Sequence, residues 1–280
     1  MDQHQKLLGF AGTAPDGWLF VAREALADGD IGRLDELLTA LAESPATPRR
    51  HLFIPEPRGH EAADRALVHA IRNTATACWA TMRDGTDRVH LVQAETGHAA
   101  IAAAAQQALL KSGVDTPRVE VFEPGHPLPG YHEQALLAST LLWSAEPGTP
   151  VHVARAFDGA GEDGPWFASD HELVVDPKVR RRLLDFLAGG EVVLGADSRM
   201  TDIVSGSAGT VPADLRSDGT WVWSEATRYY LDRYQFAPDP ELAGHALETQ
   251  PGDRLSPLTR HRVRAALNPI DQEGPSWRAG

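Results

Sequence analysis

The sequence predicts an α/β fold, and three observations carry that expectation. Between residues 49 and 157, short apolar runs alternate with longer stretches of helical spacing. Ahead of them leucines recur with a helical period; behind them stands a strand–turn–helix module dense in tryptophan and tyrosine. The expected architecture is a small N-terminal helical cap over 1–48 and a mainly parallel three-layer sheet over 49–157. A C-terminal α+β Trp/Tyr module over 158–280 is expected to pack on that sheet.

The elements follow in order. Leu19, Val21, Leu26, Ile31, Leu34, Leu37, Leu38 and Leu41 mark helices broken by Gly17 and by Asp28-Gly29-Asp30. Ser44-Pro45-Ala46-Thr47-Pro48 ends them. Leu52-Phe53-Ile54 is a short strand closed by Pro55 and Pro57. The spacing predicts a helix over 61–82, with Ala66, Ile71, Ala75, Cys78, Trp79 and Met82 as its inner stripe. Val89–Val92 reads as a second strand, 98–112 as an Ala-rich helix ending at Gly113, and Val119–Phe122 as a third strand. A helix over 131–144 and a fourth strand over 151–154 complete the alternation. Strands separated by helices imply crossover connections, so the four strands are expected in one mostly parallel sheet.

Past residue 157 a polar, Gly-rich loop (158–165) leads into Trp166-Phe167 and an apolar strand, Leu173-Val174-Val175. A helix over 177–188, a strand over 192–194 and an irregular loop over 195–216 precede the aromatic module. Helices over 239–248 and 257–267 follow, the first opened by Asp239-Pro240.

Composition removes several function classes. The 42% hydrophobic and 23% charged content is that of a folded globular chain. A formal net charge of −13 repels nucleic acid and anionic membranes. The basic run Lys178-Val179-Arg180-Arg181-Arg182 reads as a helix face rather than a phosphate patch. With Cys78 as the one cysteine, an intrachain disulfide cannot form, and a buried inert thiol is the expectation there. No charged leader and no apolar run of bilayer length are visible, which places the chain in the cytoplasm, with no membrane contact. Dinucleotide and P-loop glycine motifs are missing, so no cofactor and no metal are expected.

Two stretches offer candidate chemistry. Loops at strand ends carry acidic residues followed by Gly-His, and they bring forward His126 and Asp158 as ligand-binding candidates. The plainer reading is that glycine turns the chain and a polar residue caps the next helix. Asp197-Ser198-Arg199-Met200-Thr201-Asp202 sits in a long loop, where functional residues gather. For an enzyme, Asp197 or Asp202 would be the base and Arg199 the anion anchor; a structural ion pair is the plainer alternative.

The Trp/Tyr module is the other candidate. Asp218-Gly219 signals a tight turn, with Gly219 at positive φ, and Trp221 and Trp223 then share one strand face. Ser224 is placed to cap a helix bearing Glu225, Arg228, Tyr229, Tyr230 and Tyr234. Either the rings are core, or Trp221, Trp223, Tyr229 and Arg228 form a partner-binding surface of hot-spot composition.

The run Ser217-Asp218-Gly219-Thr220-Trp221-Val222-Trp223, with Tyr229-Tyr230-Leu231, Ala237-Pro238-Asp239-Pro240-Glu241-Leu242 and His245, resembles a module of uncharacterised actinobacterial proteins. Val119–Trp143, with Pro127-Leu128-Pro129-Gly130-Tyr131, is similar to segments of the same group. That resemblance implies an association with polymorphic toxin and immunity systems and supplies no catalytic residue. The expected function is a non-catalytic protein-binding role, immunity-like or accessory, docking a basic protein partner on an acidic, aromatic surface. The alternatives are an enzyme acting on a nucleotide or other small molecule at the strand-end rim and the 195–202 loop, and a structural subunit of an assembly.

Overall fold

The computed structural model describes residues 3–43, 50–55, 59–250 and 254–267. They divide into two units, one ending at Pro147 and one beginning at Gly148.

The first unit opens with the helices α1 (Gln3–Leu8), α2 (Asp16–Ala27) and α3 (Ile31–Glu43). Strand β1 (Phe53–Ile54), helix α4 (Glu61–Ile71) and strands β2 (Ala77–Arg83) and β3 (Asp87–Gln93) follow. Helix α5 (His98–Lys111), strand β4 (Val119–Phe122), helix α6 (Gly130–Leu137) and strand β5 (Thr140–Ser144) complete it. The predicted helix over 61–82 is therefore corrected: it stops at Ile71, and Cys78 and Trp79 lie on a central strand. Strand β2 has β3 along one edge and both β1 and β5 along the other, and each of its residues is buried, so both of its faces are covered. A strand buried on both faces is apolar without alternation, and periodicity alone does not separate it from a helix. The hairpin signal was there: Asp84-Gly85 has φ of 54° and 75°, the left-handed pair that a tight β2–β3 turn needs.

The predicted helix over 131–144 is likewise cut short, since Thr140–Ser144 runs antiparallel along β2. Strands β1, β3 and β4 share this sheet as expected, β3 and β4 running parallel. The sheet is nonetheless mixed rather than mainly parallel, because β2 opposes each of its neighbours.

Cys78, Val92 and Val121 point to one face, into an apolar cluster with Leu67 and Ile71 of α4 and Ile101 and Leu109 of α5. The opposite face carries a buried carboxylate, Glu120, held by Arg23 of α2 at 2.5 Å and by His132 of α6 at 3.1 Å. Burial alone would raise the Glu120 pKa; the Arg23 charge overcomes it and holds the carboxyl down at about 2.

The second unit contains β6 (His152–Val153), the hairpin β7 (Gly159–Gly161) and β8 (Gly164–Trp166), and α7 (Pro177–Gly189). Strands β9 (Glu191–Leu194), β10 (Leu215–Ser217) and β11 (Trp221–Ser224) lead to helices α8 (Glu225–Tyr234), α9 (Pro240–Glu248) and α10 (Pro257–Leu267). The fourth predicted strand belongs here and not to the first sheet: β6 runs parallel to β11 in the order β6-β11-β10-β9. The expected strand over 173–175 is reduced to a single bridge, Leu173 to Phe236.

Local chemistry explains the helix starts. Asp176, Ser224 and Asp239 cap α7, α8 and α9 by accepting from backbone N–H groups, and proline opens the first and third. Trp221 and Trp223 face α7, α8 and α9 in one apolar cluster, while Val222 packs on the other face with Val263 of α10.

Candidate functional site: an aromatic groove and cleft in the second unit

The β7–β8 hairpin turns at Glu162-Asp163, enters β8 at Gly164 with φ 104°, and presents Trp166. Gly159 lies beneath that ring: a Cβ there would sit 2.5 Å from its Cζ2, so only glycine lets the indole lie flat across the hairpin. Trp166 remains 49% exposed. Leu173 at 48%, Ile203 at 36% and Val204 at 48% join it around one groove of about 480 Å³, floored by Phe167 and Phe236. Four large apolar side chains exposed around a common hollow form a patch, unlike apolar residues scattered singly over a surface.

Three tyrosines hold one wall of this groove. Asp202 is solvent-inaccessible. Its carboxylate accepts from Tyr234 Oη at 2.5 Å, Tyr229 Oη at 3.0 Å, Ser205 Oγ at 2.8 Å and Val204 N at 3.0 Å. Ile203 N donates to Tyr230 Oη at 3.1 Å. Three hydroxyls of one helix thus pin the loop tip that offers Ile203 and Val204. Burial pushes the Asp202 carboxyl up, but these donors, Tyr234 first, prevail and hold it far below the ordinary carboxylate range. A carboxylate with its lone pairs so engaged is a structural anchor and a poor base.

An adjoining cleft of about 250 Å³ shares Phe167, Ala168, His171 and Phe236 with the groove. Phe157 and Tyr230 complete its aromatic lining, with Phe167 edge-on to Tyr230 at 4.9 Å and to Phe236 at 4.6 Å. Asp158 accepts from Ala168 N at 2.7 Å and lies 2.9 Å from His171 Nδ1, while His171 Nε2 faces the Ala237 carbonyl at 3.1 Å. The Ala168 bond, with the His171 ring behind it, keeps the Asp158 carboxyl below its ordinary range. Thr227 also lines the cleft, and its hydroxyl is buried without a hydrogen-bond partner.

The sequence candidates are distributed as follows. Asp202 and Tyr229 are brought together, in the clamp. Asp158 is in the cleft, but Asp197, Arg199 and Asp202 do not line it. Asp197 is exposed, and Arg199 donates to the Thr210 carbonyl at 3.0 Å. His126 belongs to the first unit, 3.2 Å from Glu123. Trp221 and Trp223 are 8% and 1% exposed; Trp223 Nε1 donates to Leu187 O at 3.1 Å, and Trp221 stacks on His152. Arg228 pairs with Glu225 at 3.0 Å.

Sequence reasoning passed over Trp166, Leu173, Ile203, Val204, His171, Thr227 and Phe236 as site residues. One signal could have found Trp166: a tryptophan straight after a polar, Gly-rich loop has no apolar run to be buried in. Among the described residues no group of three or more His, Cys, Asp or Glu side chains is placed to hold a metal ion. No helix among them is long and apolar enough to cross a membrane. Compared with known proteins, the chain matches no family model, no curated protein sequence and no solved structure.

Proposed function

We propose that this chain is a cytoplasmic, non-catalytic protein-binding protein, immunity-like or accessory in role, that docks a basic partner in the Trp166 groove. The observation that carries the reading is the juxtaposition of four exposed apolar side chains with an acidic stretch of chain. From Asp158 to Asp176 the chain has six carboxylates and no lysine or arginine. Glu162 and Asp163 are exposed on the hairpin beside Trp166, and Asp170 and Glu172 are exposed beside the groove. A partner segment with a large apolar residue flanked by arginine or lysine matches both features: tryptophan and its neighbours supply burial, and the acidic stretch supplies steering. Asp202, the best-placed candidate base, is consumed by the tyrosine clamp, which weighs against the small-molecule enzyme reading.

Selection of displayed random peptides on the full chain tests this. Peptides pairing an apolar anchor with basic residues are expected, and Trp166→Ala is expected to cost about 2 kcal/mol or more of their binding. Selected peptides that bind Trp166→Ala and Val204→Asp as tightly as the parent chain would overturn the proposal.

A further inference from the structure

We infer that the 250 Å³ cleft beside the groove is a socket for a single arginine side chain, a deepening that rests on the docking reading above. Its size comes first: the volume lies below that of pockets for drug-sized ligands and suits one long side chain. The walls then select the chemistry. Phe157, Phe167, Tyr230 and Phe236 supply rings; Asp170 and Glu172 are exposed carboxylates, while Asp158 is engaged by Ala168 and His171 and Asp239 by the α9 N-terminus and Arg155. A planar cation on an apolar stem fits such walls, because guanidinium stacks on aromatic faces and bonds carboxylates in its own plane. A lysine ammonium is more strongly hydrated and gains less from the rings.

One contact already in the structure points the same way. The chain's own Arg155, with a side chain 69% exposed, places its Nε 3.3 Å from Asp239 Oδ2, so this wall already accepts a guanidinium from solvent. Because groove and cleft share Phe167, Ala168, His171 and Phe236, an apolar anchor and a nearby arginine can be held at once.

N-Acetyl-argininamide, titrated into the isotopically labelled full chain at low salt and followed by amide NMR, tests the assignment. N-Acetyl-citrullinamide, its neutral near-isostere, is the control. The expected result is a shift of the Ala168, His171 and Thr227 amides by the arginine probe and not by the citrulline probe. Asp170→Asn/Glu172→Gln should weaken that binding between about two- and fivefold, since these carboxylates are exposed. Equal shifts from both probes, or arginine shifts confined to other parts of the chain, would overturn the socket. If the selected peptides still depended on Trp166, the docking reading would stand without it. Cleft-specific arginine binding together with peptides indifferent to Trp166 would uphold the socket and remove the docking reading.

Discussion

At Gly219 the backbone has φ 97°, and a Cβ would stand 2.7 Å from Thr259 Cγ2. Both the torsion and the contact exclude a branched side chain, so Gly219→Val should destabilise the chain by about 1–3 kcal/mol in chemical denaturation. Asp218 adds to the turn: its Oδ1 accepts from Thr220 N and Trp221 N, and its Oδ2 meets His245 Nε2 at 2.5 Å. Tryptophans divide by environment. Trp223 fills the space that Gly190 leaves, with Phe186 against it, and Trp223→Ala should cost about 3–5 kcal/mol of stability. Trp166→Ala should leave the melting temperature nearly unmoved, because about half of that ring is in solvent. Cys78 is fully buried, and burial first, with the Asp64 charge behind it, pushes its thiol far up. Alkylation of the native protein should therefore be slow, and Cys78→Ala should cost roughly 1 kcal/mol.

Among the elements, the decisive one is the loop between β9 and β10, which is bridged within itself at Met200 and Val211 and tied to α8 through Asp202 and Ile203. Tyr230 and Tyr234, four residues apart, share one face of the helix, and Tyr229 reaches Asp202 from beside them. The Asp202 carboxyl has a lowered pKa in the folded chain, so its stabilising contribution is complete above the unfolded value of about 4. It is lost as pH falls from there toward the folded value. Asp202→Asn should consequently open the 195–216 loop to limited proteolysis at neutral pH. The difference from the parent chain should shrink only below about pH 4. Equal cleavage of both at pH 7 would show that the carboxylate does not hold the loop.

For the whole molecule the governing quantity is the net charge of −13, which favours encounter with cationic partners and is screened by salt. If the groove works as proposed, the association rate of a selected basic peptide should fall steeply between low and physiological ionic strength. Its dissociation rate should change less, being set by the buried apolar contacts. Surface plasmon resonance at several salt concentrations separates the two.

The α/β class, the helix starts at Ser224 and Asp239, the positive φ at Gly219 and the burial of Cys78 were legible in the sequence. Each is decided within a few residues, by a cap, a turn or an apolar surrounding. Strand β2 was not legible, since burial on two faces erases the alternation that marks a strand, although Asp84-Gly85 announced its turn. Nor was the assignment of 151–154 to the second sheet, which depends on pairing with Trp221 and Val222 some seventy residues later. The site was legible only in fragments: Asp202, Tyr229 and Asp158 stood out as polar or aromatic residues, without their partners. Tertiary structure alone decided that Asp202 and Tyr229 form one clamp, that Trp221 and Trp223 are core, and that Trp166, Leu173, Ile203 and Val204 meet around a groove. Those outcomes follow from contacts between residues distant in the chain, and hydrophobic burial has no memory of sequence order.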